Sequence, residues 1–119
     1  MGTTTSKDKA YLIARFAHDK KAQDITFLKL QGIVDFTDYF VICHGSSTRN
    51  VQAIADGIRE GMKKSACRVL HVEGYSEALW ILLDYGDVIA HIFYPQTRTF
   101  YDLERLWGDA PKEAFQPVQ

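Results

Sequence analysis

Five side chains that commonly bind metals or act in catalysis stand in the middle of the chain: Cys43, His44, Cys67, His71 and His91. Zinc sites are usually recognised by pairs of ligands that lie close together in the sequence, and neither a C-x-x-C nor an H-x-x-x-H spacing occurs here. Cys43 and His44 are adjacent in an apolar run that predicts a strand, so their side chains point to opposite faces. The sequence therefore predicts no metal site and no Cys–His nucleophile pair, with Cys43 as a small core residue.

The Gly-Ser-Ser turn at residues 45–47 comes directly before a predicted helix, as the phosphate-binding turn of a nucleotidyltransferase does. That chemistry also needs two carboxylates that alternate on one strand face and hold magnesium. Asp84 and Asp87 stand three apart across a predicted turn, and Asp56 lacks a partner two residues on. A Walker loop and a G-x-G-x-x-G fingerprint are absent as well. We therefore expect no catalytic residues and no cofactor, with a nucleotide-binding enzyme as the alternative.

The composition is typical of a single folded domain with balanced charge. The chain has 119 residues and a mass of 13.6 kDa, is 46% hydrophobic, and carries 14 Lys and Arg against 15 Asp and Glu. Proteins that bind nucleic acid through its phosphates usually show a basic excess, so direct sequence-specific nucleic-acid binding is not expected. Two cysteines do not make a disulfide framework, and the sequence shows neither a membrane-spanning run nor a signal peptide. These features predict a cytoplasmic location and no membrane partner.

Apolar periodicity predicts the elements that must position these residues. Helices are predicted at residues 6–21 with Ser6 as N-cap, after the 45–47 turn as far as Lys64, and at 99–107; strands are predicted at 24–30, 38–44, 68–73, 79–83 and 88–94. A parallel strand–helix–strand step combined with hairpins gives an α/β domain with a mixed five-stranded sheet. Two long helices cannot cover both faces of five strands, so we expect the helices mainly on one face and exposed apolar side chains on the other. Residues 1–5 and 111–119 are predicted as flexible ends of a domain that spans 6–110.

The second predicted helix has the clearest helical periodicity in the chain, with Val51, Ile54 and Ile58 on one stripe. Gly57 and Gly61 form a G-x-x-x-G spacing within it. In a domain without membrane spans that spacing lets a helix sit close on a sheet. We therefore expect the two glycines to allow close packing on the sheet.

Trp80 stands out in the strand predicted at 79–83. Alternation puts Trp80 and Leu82 on one face and Ile81 on the other. If Ile81 faces the helices, Trp80 lies on the uncovered face, where tryptophan is a typical interface anchor. The opposite orientation, with Trp80 in the core, fits the same alternation. The four residues 84–87 that follow predict a tight turn in which Gly86 takes a positive φ.

Three motifs follow one another along the chain. The first is residues 38–43 with Gly45 and Ser47. The second, within residues 73–93, contains Glu73-Gly74, the run from Ala78 to Asp87 and the strand that ends at Phe93, and the third is Arg98 with residues 101–107. Together they cover residues 22–111 and resemble the Iojap family, the ribosomal silencing factors. The sequence departs from the family pattern at His44, where a small polar residue is commoner, and in residues 31–37.

The resemblance implies a nucleotidyltransferase-like topology without transferase activity, so the protein is not expected to be an enzyme. Family members dock on the large ribosomal subunit through its protein number fourteen, block joining of the small subunit and repress translation. Many also form homodimers. By the same resemblance, the hairpin supplies the partner-binding residues Trp80, Leu82, Asp84, Tyr85 and Asp87. A large-subunit assembly factor would share this binding site and is the second alternative.

Overall fold

The computed structural model describes residues 5–117. These residues form four helices and six strands: α1 (Ser6–Asp19), β1 (Gln23–Lys29), β2 (Tyr39–His44), α2 (Thr48–Lys64), β3 (His71–Glu73), β4 (Trp80–Asp84), β5 (Val88–Phe93), α3 (Pro95–Tyr101), α4 (Leu103–Leu106) and β6 (Lys112–Ala114). The predicted α/β class is confirmed. In this part of the chain, none of the helices has the length and apolar character needed to cross a membrane.

The strands lie in the order β3-β4-β5-β2-β1-β6. β2 and β5 form a parallel pair, with Tyr39 opposite Val88, and the other neighbouring strands are antiparallel. β3 runs parallel to β2, as predicted for the strand–helix–strand step, but β4 and β5 lie between them. The solid apolar runs of β2 and β5 suit central strands because both of their faces are covered. The nucleotidyltransferase-like topology stays a prediction.

α1 begins with a capping box at Thr5, not at the predicted N-cap Ser6. The Thr5 hydroxyl accepts a hydrogen bond from the Asp8 N–H at 3.1 Å, and the Asp8 carboxylate accepts one from the Thr5 N–H at 3.3 Å. Two N–H donors at the helix start are thereby satisfied. Ser6 is the first helical residue and is buried. Of the predicted flexible start at residues 1–5, only Thr5 falls within the described residues.

One face of the sheet, here called the helix side, is covered by α1 and α2. The strands bury alternate side chains there, and the two helices bury one stripe each: Val41, Cys43, Ile81, Leu83, Val88, Ala90 and Ile92 face Ala10, Ile13, Ala14, Ala17, Val51, Ile54, Ala55, Ile58 and Met62. Burying a Val, Leu or Ile side chain fully stabilises the fold by about 1.5–3 kcal/mol, so this core dominates stability. Cys43 belongs to it as predicted, and burial raises the pKa of its thiol to about 12.

The opposite face, here called the open side, carries a second and smaller core. Its buried side chains are Leu28, Leu30, Phe40, Ile42, Phe93, Leu103 and Ala110, against which Val34, Trp80, Ile89 and Trp107 pack half-buried. Part of this core comes from the chain after β5, which folds back over the sheet. The long helices therefore lie on one face as predicted, but the other face is partly covered. Asp102, with a φ of +47°, separates α3 from α4, so the single helix predicted at 99–107 is two.

The sheet has six strands, so the predicted count of five is wrong. β6 pairs antiparallel with β1, with Lys112 opposite Leu28. All side chains of β6 are exposed, and backbone hydrogen bonds pair this strand with β1. Phe115, the residue after β6, adds a side-chain contact, since its ring centroid lies 5.4 Å from that of Tyr11. A strand held by its backbone needs no apolar pattern. The tail predicted as flexible therefore contains a strand at residues 112–114.

Gly57 and Gly61 face α1, not the sheet, so the surface predicted for them is wrong. A Cβ at Gly61 would lie 2.6 Å from atoms of the Phe16 ring, and a Cβ at Gly57 would lie 2.6 Å from Cγ of Lys20. α2 turns a different stripe toward the sheet. The two glycines therefore permit a close approach between the two long helices.

We expect Gly61→Ala to destabilise the fold and Gly57→Ala to leave its stability unchanged or raise it by up to about 1 kcal/mol. Either alanine gains about 1 kcal/mol of helix propensity, but overpacking costs about 1–3 kcal/mol where the neighbour cannot move aside. The Phe16 ring is half-buried, whereas Lys20 is exposed and flexible. Urea unfolding should find Gly61→Ala about 1 kcal/mol less stable than the parent. Equal stability of the two variants would contradict the tight contact at Phe16.

Candidate functional site

β4 presents Trp80, Leu82 and Asp84 to the open side. Ile81 and Leu83 are fully buried on the helix side, and the alternation of the strand turns the other three side chains away. Of the two orientations that the sequence leaves open, the structure has the one with Trp80 away from the long helices. The hairpin register brings β5 neighbours to the same face: Phe93 opposite Trp80, His91 opposite Leu82 and Ile89 opposite Asp84.

Trp80 is half-buried and is held by a hydrogen bond and two aromatic rings. Its indole Nε1 donates to Nδ1 of His91 at 3.1 Å. The ring centroids of Tyr101 and Phe93 lie 4.7 and 5.0 Å from that of Trp80. Aromatic pairs at such separations contribute about 0.5–1.5 kcal/mol each beyond area burial. The indole is therefore oriented within the free domain, and its N–H is already used.

His91 is the buried acceptor on which this arrangement depends. It is 4% exposed, and burial lowers the pKa of its imidazole to about 3. Because Nδ1 accepts from Trp80, the neutral ring carries its proton on Nε2, which has no hydrogen-bond partner among residues 5–117. This role is missed from the sequence. The signal that could have found it is the hairpin register, which puts His91 on the Trp80 face.

Asp84 shapes the turn between β4 and β5. Its Oδ1 accepts a hydrogen bond from the Gly86 N–H at 2.7 Å, and Gly86 has a φ of +89°, as predicted. Glycine adopts that conformation at no steric cost. The Asp84 carboxylate is half-buried and forms no ion pair within residues 5–117. It therefore combines a structural hydrogen bond with a charge at the edge of the open side.

The other two predicted hairpin residues are directed elsewhere. Tyr85 is 4% exposed in the helix-side core, and burial raises the pKa of its hydroxyl to about 12. Asp87 accepts a hydrogen bond from Nζ of Lys9, on α1, at 2.6 Å. Tyr85 is therefore not positioned to touch a partner, and the carboxylate of Asp87 is already paired. We remove both from the candidate site.

Glu73 adds a second carboxylate to the open side. It lies opposite Leu82, is exposed, and accepts a hydrogen bond from Nε2 of the His71 ring at 2.6 Å. β3, β4 and β5 contain no Lys or Arg. The candidate site, here called the Trp80 surface, consists of Glu73, Trp80, Leu82 and Asp84, and it combines an apolar centre with acidic side chains.

Arg98 fixes α3 to the sheet and so positions the helix that carries Tyr101. Its guanidinium donates to Oε2 of Glu104 at 2.8 Å and to the backbone oxygen of Asp24 at 2.8 Å. It also lies 3.0 Å from Nδ1 of His44. Burial and, after it, the Arg98 charge lower the pKa of His44, so this imidazole is neutral and accepts from Arg98.

The turn before α2 is occupied by side chains of the helix itself. Oδ1 of Asn50 accepts from the Ser46 N–H at 2.9 Å, and Oγ of Ser47 accepts from the Asn50 N–H at 3.0 Å. A Cβ at Gly45 would lie 2.7 Å from Asn50 Oδ1. Several N–H donors that a phosphate would need are therefore already paired. In the part of the chain that the structure describes, no group of three His, Cys, Asp or Glu side chains is arranged to hold a metal ion.

The fold and the Trp80 surface define a small mixed α/β domain with one aromatic and acidic face. A family model described as "Ribosomal silencing factor during starvation" matches residues 3–119. The ribosomal silencing factor of Bacillus subtilis is 46% identical over 100 residues, which cover 84% of this chain and 85% of that protein. The factor of Halalkalibacterium halodurans is 39% identical over 114 residues, covering 96% and 97%.

The same likeness extends to a solved structure. The crystal structure of a protein from Chromobacterium violaceum matches with a TM-score of 0.85 at 28% identity, covering 96% of this chain and 94% of that one. The chain therefore belongs to the ribosomal silencing factor family, and the resemblance inferred from its motifs is confirmed.

We expect acid to destabilise the parent more steeply than a His91→Phe variant. The folded protein keeps His91 neutral down to a pKa of about 3, whereas the unfolded chain takes up the proton near its ordinary value of 6.5. The stability that follows from this difference is fully present above pH 6.5 and is lost as the pH falls toward 3. The loss is at most about 1.4 kcal/mol per pH unit.

Urea unfolding of both proteins between about pH 7 and pH 5 measures the effect. At neutral pH the variant should be less stable by about 1–3 kcal/mol, because the Trp80 N–H loses its acceptor. The difference should shrink by about 2 kcal/mol by pH 5. A difference that stays constant over this range would contradict a neutral, buried His91.

Proposed function

We propose that this protein is a silencing factor that binds the large ribosomal subunit through its protein number fourteen. Bound there, it blocks joining of the small subunit and represses translation. Membership of the ribosomal silencing factor family supports a ribosome-associated silencing role. The observation that carries the proposal is the Trp80 surface, whose pre-oriented indole beside two carboxylates suits a basic protein partner.

The chemistry of the Trp80 surface supports a basic protein more than RNA. Trp80 and Leu82 offer apolar area, and tryptophan is among the residues enriched at positions that dominate interface energies. Glu73 and Asp84 attract lysine and arginine, which favours fast and specific association. Acidic side chains repel rRNA phosphates. A chain of formal net charge −1 can therefore work on a ribosome when it contacts one of the ribosome's proteins.

The rigid Trp80 side chain also favours tight binding. Association costs free energy for every flexible side chain that must become ordered at the interface. The hydrogen bond to His91 and the Tyr101 ring order the indole before binding. This cost is therefore small for the central residue of the proposed contact.

The dimensions of the domain support repression by steric exclusion. Its principal extents are 39 × 33 × 31 Å. Contacts between ribosomal subunits need atoms within a few ångströms of each other, as every hydrogen bond does. A domain of this thickness on the joining face keeps the small subunit at a distance, and no catalytic step is needed.

Trp80→Ala should weaken binding to purified large subunits more than any other change on this surface. Truncation of a central tryptophan commonly costs about 2–4 kcal/mol, which is about 30- to 1,000-fold in affinity. Trp80→Phe keeps a ring beside Tyr101 and Phe93 and should show an intermediate loss. Circular dichroism and melting must first show that each variant folds. A folded Trp80→Ala variant that still blocks subunit joining would contradict the proposal.

Asp84→Asn isolates the charge of the acidic turn. The asparagine oxygen keeps the acceptor for the Gly86 N–H, so the turn is preserved while the negative charge is removed. We expect about three- to tenfold weaker binding, with most of the change in the association rate at low salt. Asp19→Asn, an exposed carboxylate at the end of α1, is the matched control and should bind like the parent. An equal loss of affinity in both variants would show that the net charge of the chain, and not the position of Asp84, determines binding.

We also propose that the free chain forms a homodimer by a two-fold contact. On the open side Phe36 is 55% exposed and its ring centroid lies 6.3 Å from that of the half-buried Trp107, so apolar surface remains there for a second copy to cover. Sedimentation velocity over a hundredfold range of concentration should show a shift from monomer to dimer. A single monomeric species at every concentration would exclude this state.

A further inference from the structure

A wide cleft lies beside the Trp80 surface. It has a volume of about 950 Å³ and lies between the segment that joins β3 to β4 and helix α3. Among the side chains that line it are Glu77, Leu79, Trp80, Phe100 and Tyr101. Phe100 is 80% exposed, Tyr101 49% and Leu79 44%, so three large apolar side chains meet water at one place. A patch of this kind on a small domain marks a contact site more often than chance exposure.

The wall formed by residues 74–79 is fixed by hydrogen bonds. The Ala78 N–H donates to the Gly74 oxygen at 3.0 Å, and the Tyr94 N–H donates to the Leu79 oxygen at 3.0 Å. Gly74 has a φ of +78°, and a Cβ there would collide with the Trp80 carbonyl oxygen. α2 supports the same wall, since Nε2 of Gln52 donates to the Tyr75 oxygen at 2.9 Å.

The other wall is fixed as well. α3 carries Phe100 and Tyr101, and Arg98 ties this helix to β1 and to Glu104. Tyr101 packs on Trp80, which belongs to both the cleft and the Trp80 surface. The cleft is therefore preformed, so a ligand can enter it with little reordering of the protein.

The charge of the cleft selects the kind of side chain that can enter. Glu77 is its charged lining residue, Glu73 lies at the neighbouring strand end, and no Lys or Arg lines it within residues 5–117. An apolar side chain flanked by lysine or arginine satisfies both the aromatic walls and the carboxylates. The exposed Phe100 ring also offers a face to such cations.

We propose that this cleft is a second contact surface for the partner that binds the Trp80 surface, and that it receives an apolar side chain next to a basic residue of that protein. The inference rests on the proposed function, since it takes a protein of the large subunit as the partner. It extends the contact from the β4–β5 hairpin to α3, which the family signature in the hairpin does not identify. Phe100 is then an interface residue in spite of its exposure in the free domain.

A pair of matched variants tests the cleft. Phe100→Ala removes the exposed ring that lines it, and Leu106→Ala removes a side chain of 70% exposure on the adjacent helix α4, outside the cleft. Neither change should affect melting, because neither side chain is buried. Affinity for purified large subunits should fall about tenfold or more for Phe100→Ala and stay within about twofold for Leu106→Ala. Equal affinities of the two variants would overturn the proposal.

A photoreactive phenylalanine analogue at position 100 identifies the occupant, with the same analogue at position 106 as control. The expected product is a crosslink from position 100 to a large-subunit protein, at a peptide that contains an apolar residue next to lysine or arginine. With large subunits in excess over the chain, crosslinks only to rRNA or to a second copy of this chain would overturn the proposal.

The Trp80→Ala variant distinguishes a failure of the proposed function from a failure of the cleft proposal alone. If it binds large subunits like the parent, the proposed function fails and the cleft proposal fails with it. If Trp80→Ala loses binding while Phe100→Ala does not, only the cleft proposal is wrong.

Discussion

Both faces of the central strands β2 and β5 must be covered, and this constraint shapes the rest of the molecule. β2 is apolar at nearly every position, with Val41 and Cys43 on the helix side and Phe40 and Ile42 on the open side. The two long helices cover only the first of these faces. The chain after β5 therefore folds back over the other face, where Leu103 completes the smaller core. This segment is short, so it covers the middle of the open side and leaves the end formed by β3 and β4 accessible.

The candidate site lies at the boundary between the covered and the accessible part. Trp80 faces the small core on one side, through His91 and Phe93, and the cleft on the other. A buried polar group must find a partner or lose stability, and the indole N–H finds it in a histidine that burial keeps neutral. The same packing that satisfies the fold thus leaves an oriented aromatic ring at the surface. The proposed function requires surface shape and charge.

The sequence predicts the elements with strong side-chain patterns and misses those without them. The apolar runs of β2 and β5 and the stripe of α2 are such patterns, because burial selects the side chains. β6 is held by backbone hydrogen bonds, so its residues Lys112–Ala114 carry no pattern to detect. G-x-x-x-G reports a close approach but not its partner, and here Phe16 of α1 is the partner.

The site was predictable in part for the same reason. Alternation along β4 groups Trp80 with Leu82 and Asp84, and only the position of the helices decides which face they occupy. Tyr85 continues the alternation of Ile81 and Leu83 and lies with them in the helix-side core, so its place among the partner-binding residues came from the resemblance and not from the strand pattern. The role of His91 follows from the register of the β4–β5 hairpin, which the predicted turn at 84–87 could have supplied. The exposure of Phe100 beside Trp80 depends on the path of α3, which is a property of the tertiary fold.

The orientation of the domain on the large subunit tests the central claim most directly. Cryo-electron microscopy of the chain bound to purified large subunits would resolve which face makes the contact. The account predicts that the open side, with Trp80 and Asp84, lies against ribosomal protein number fourteen while α1 and α2 face away from it. A map in which α1 and α2 lie against the subunit and Trp80 faces solvent would contradict it.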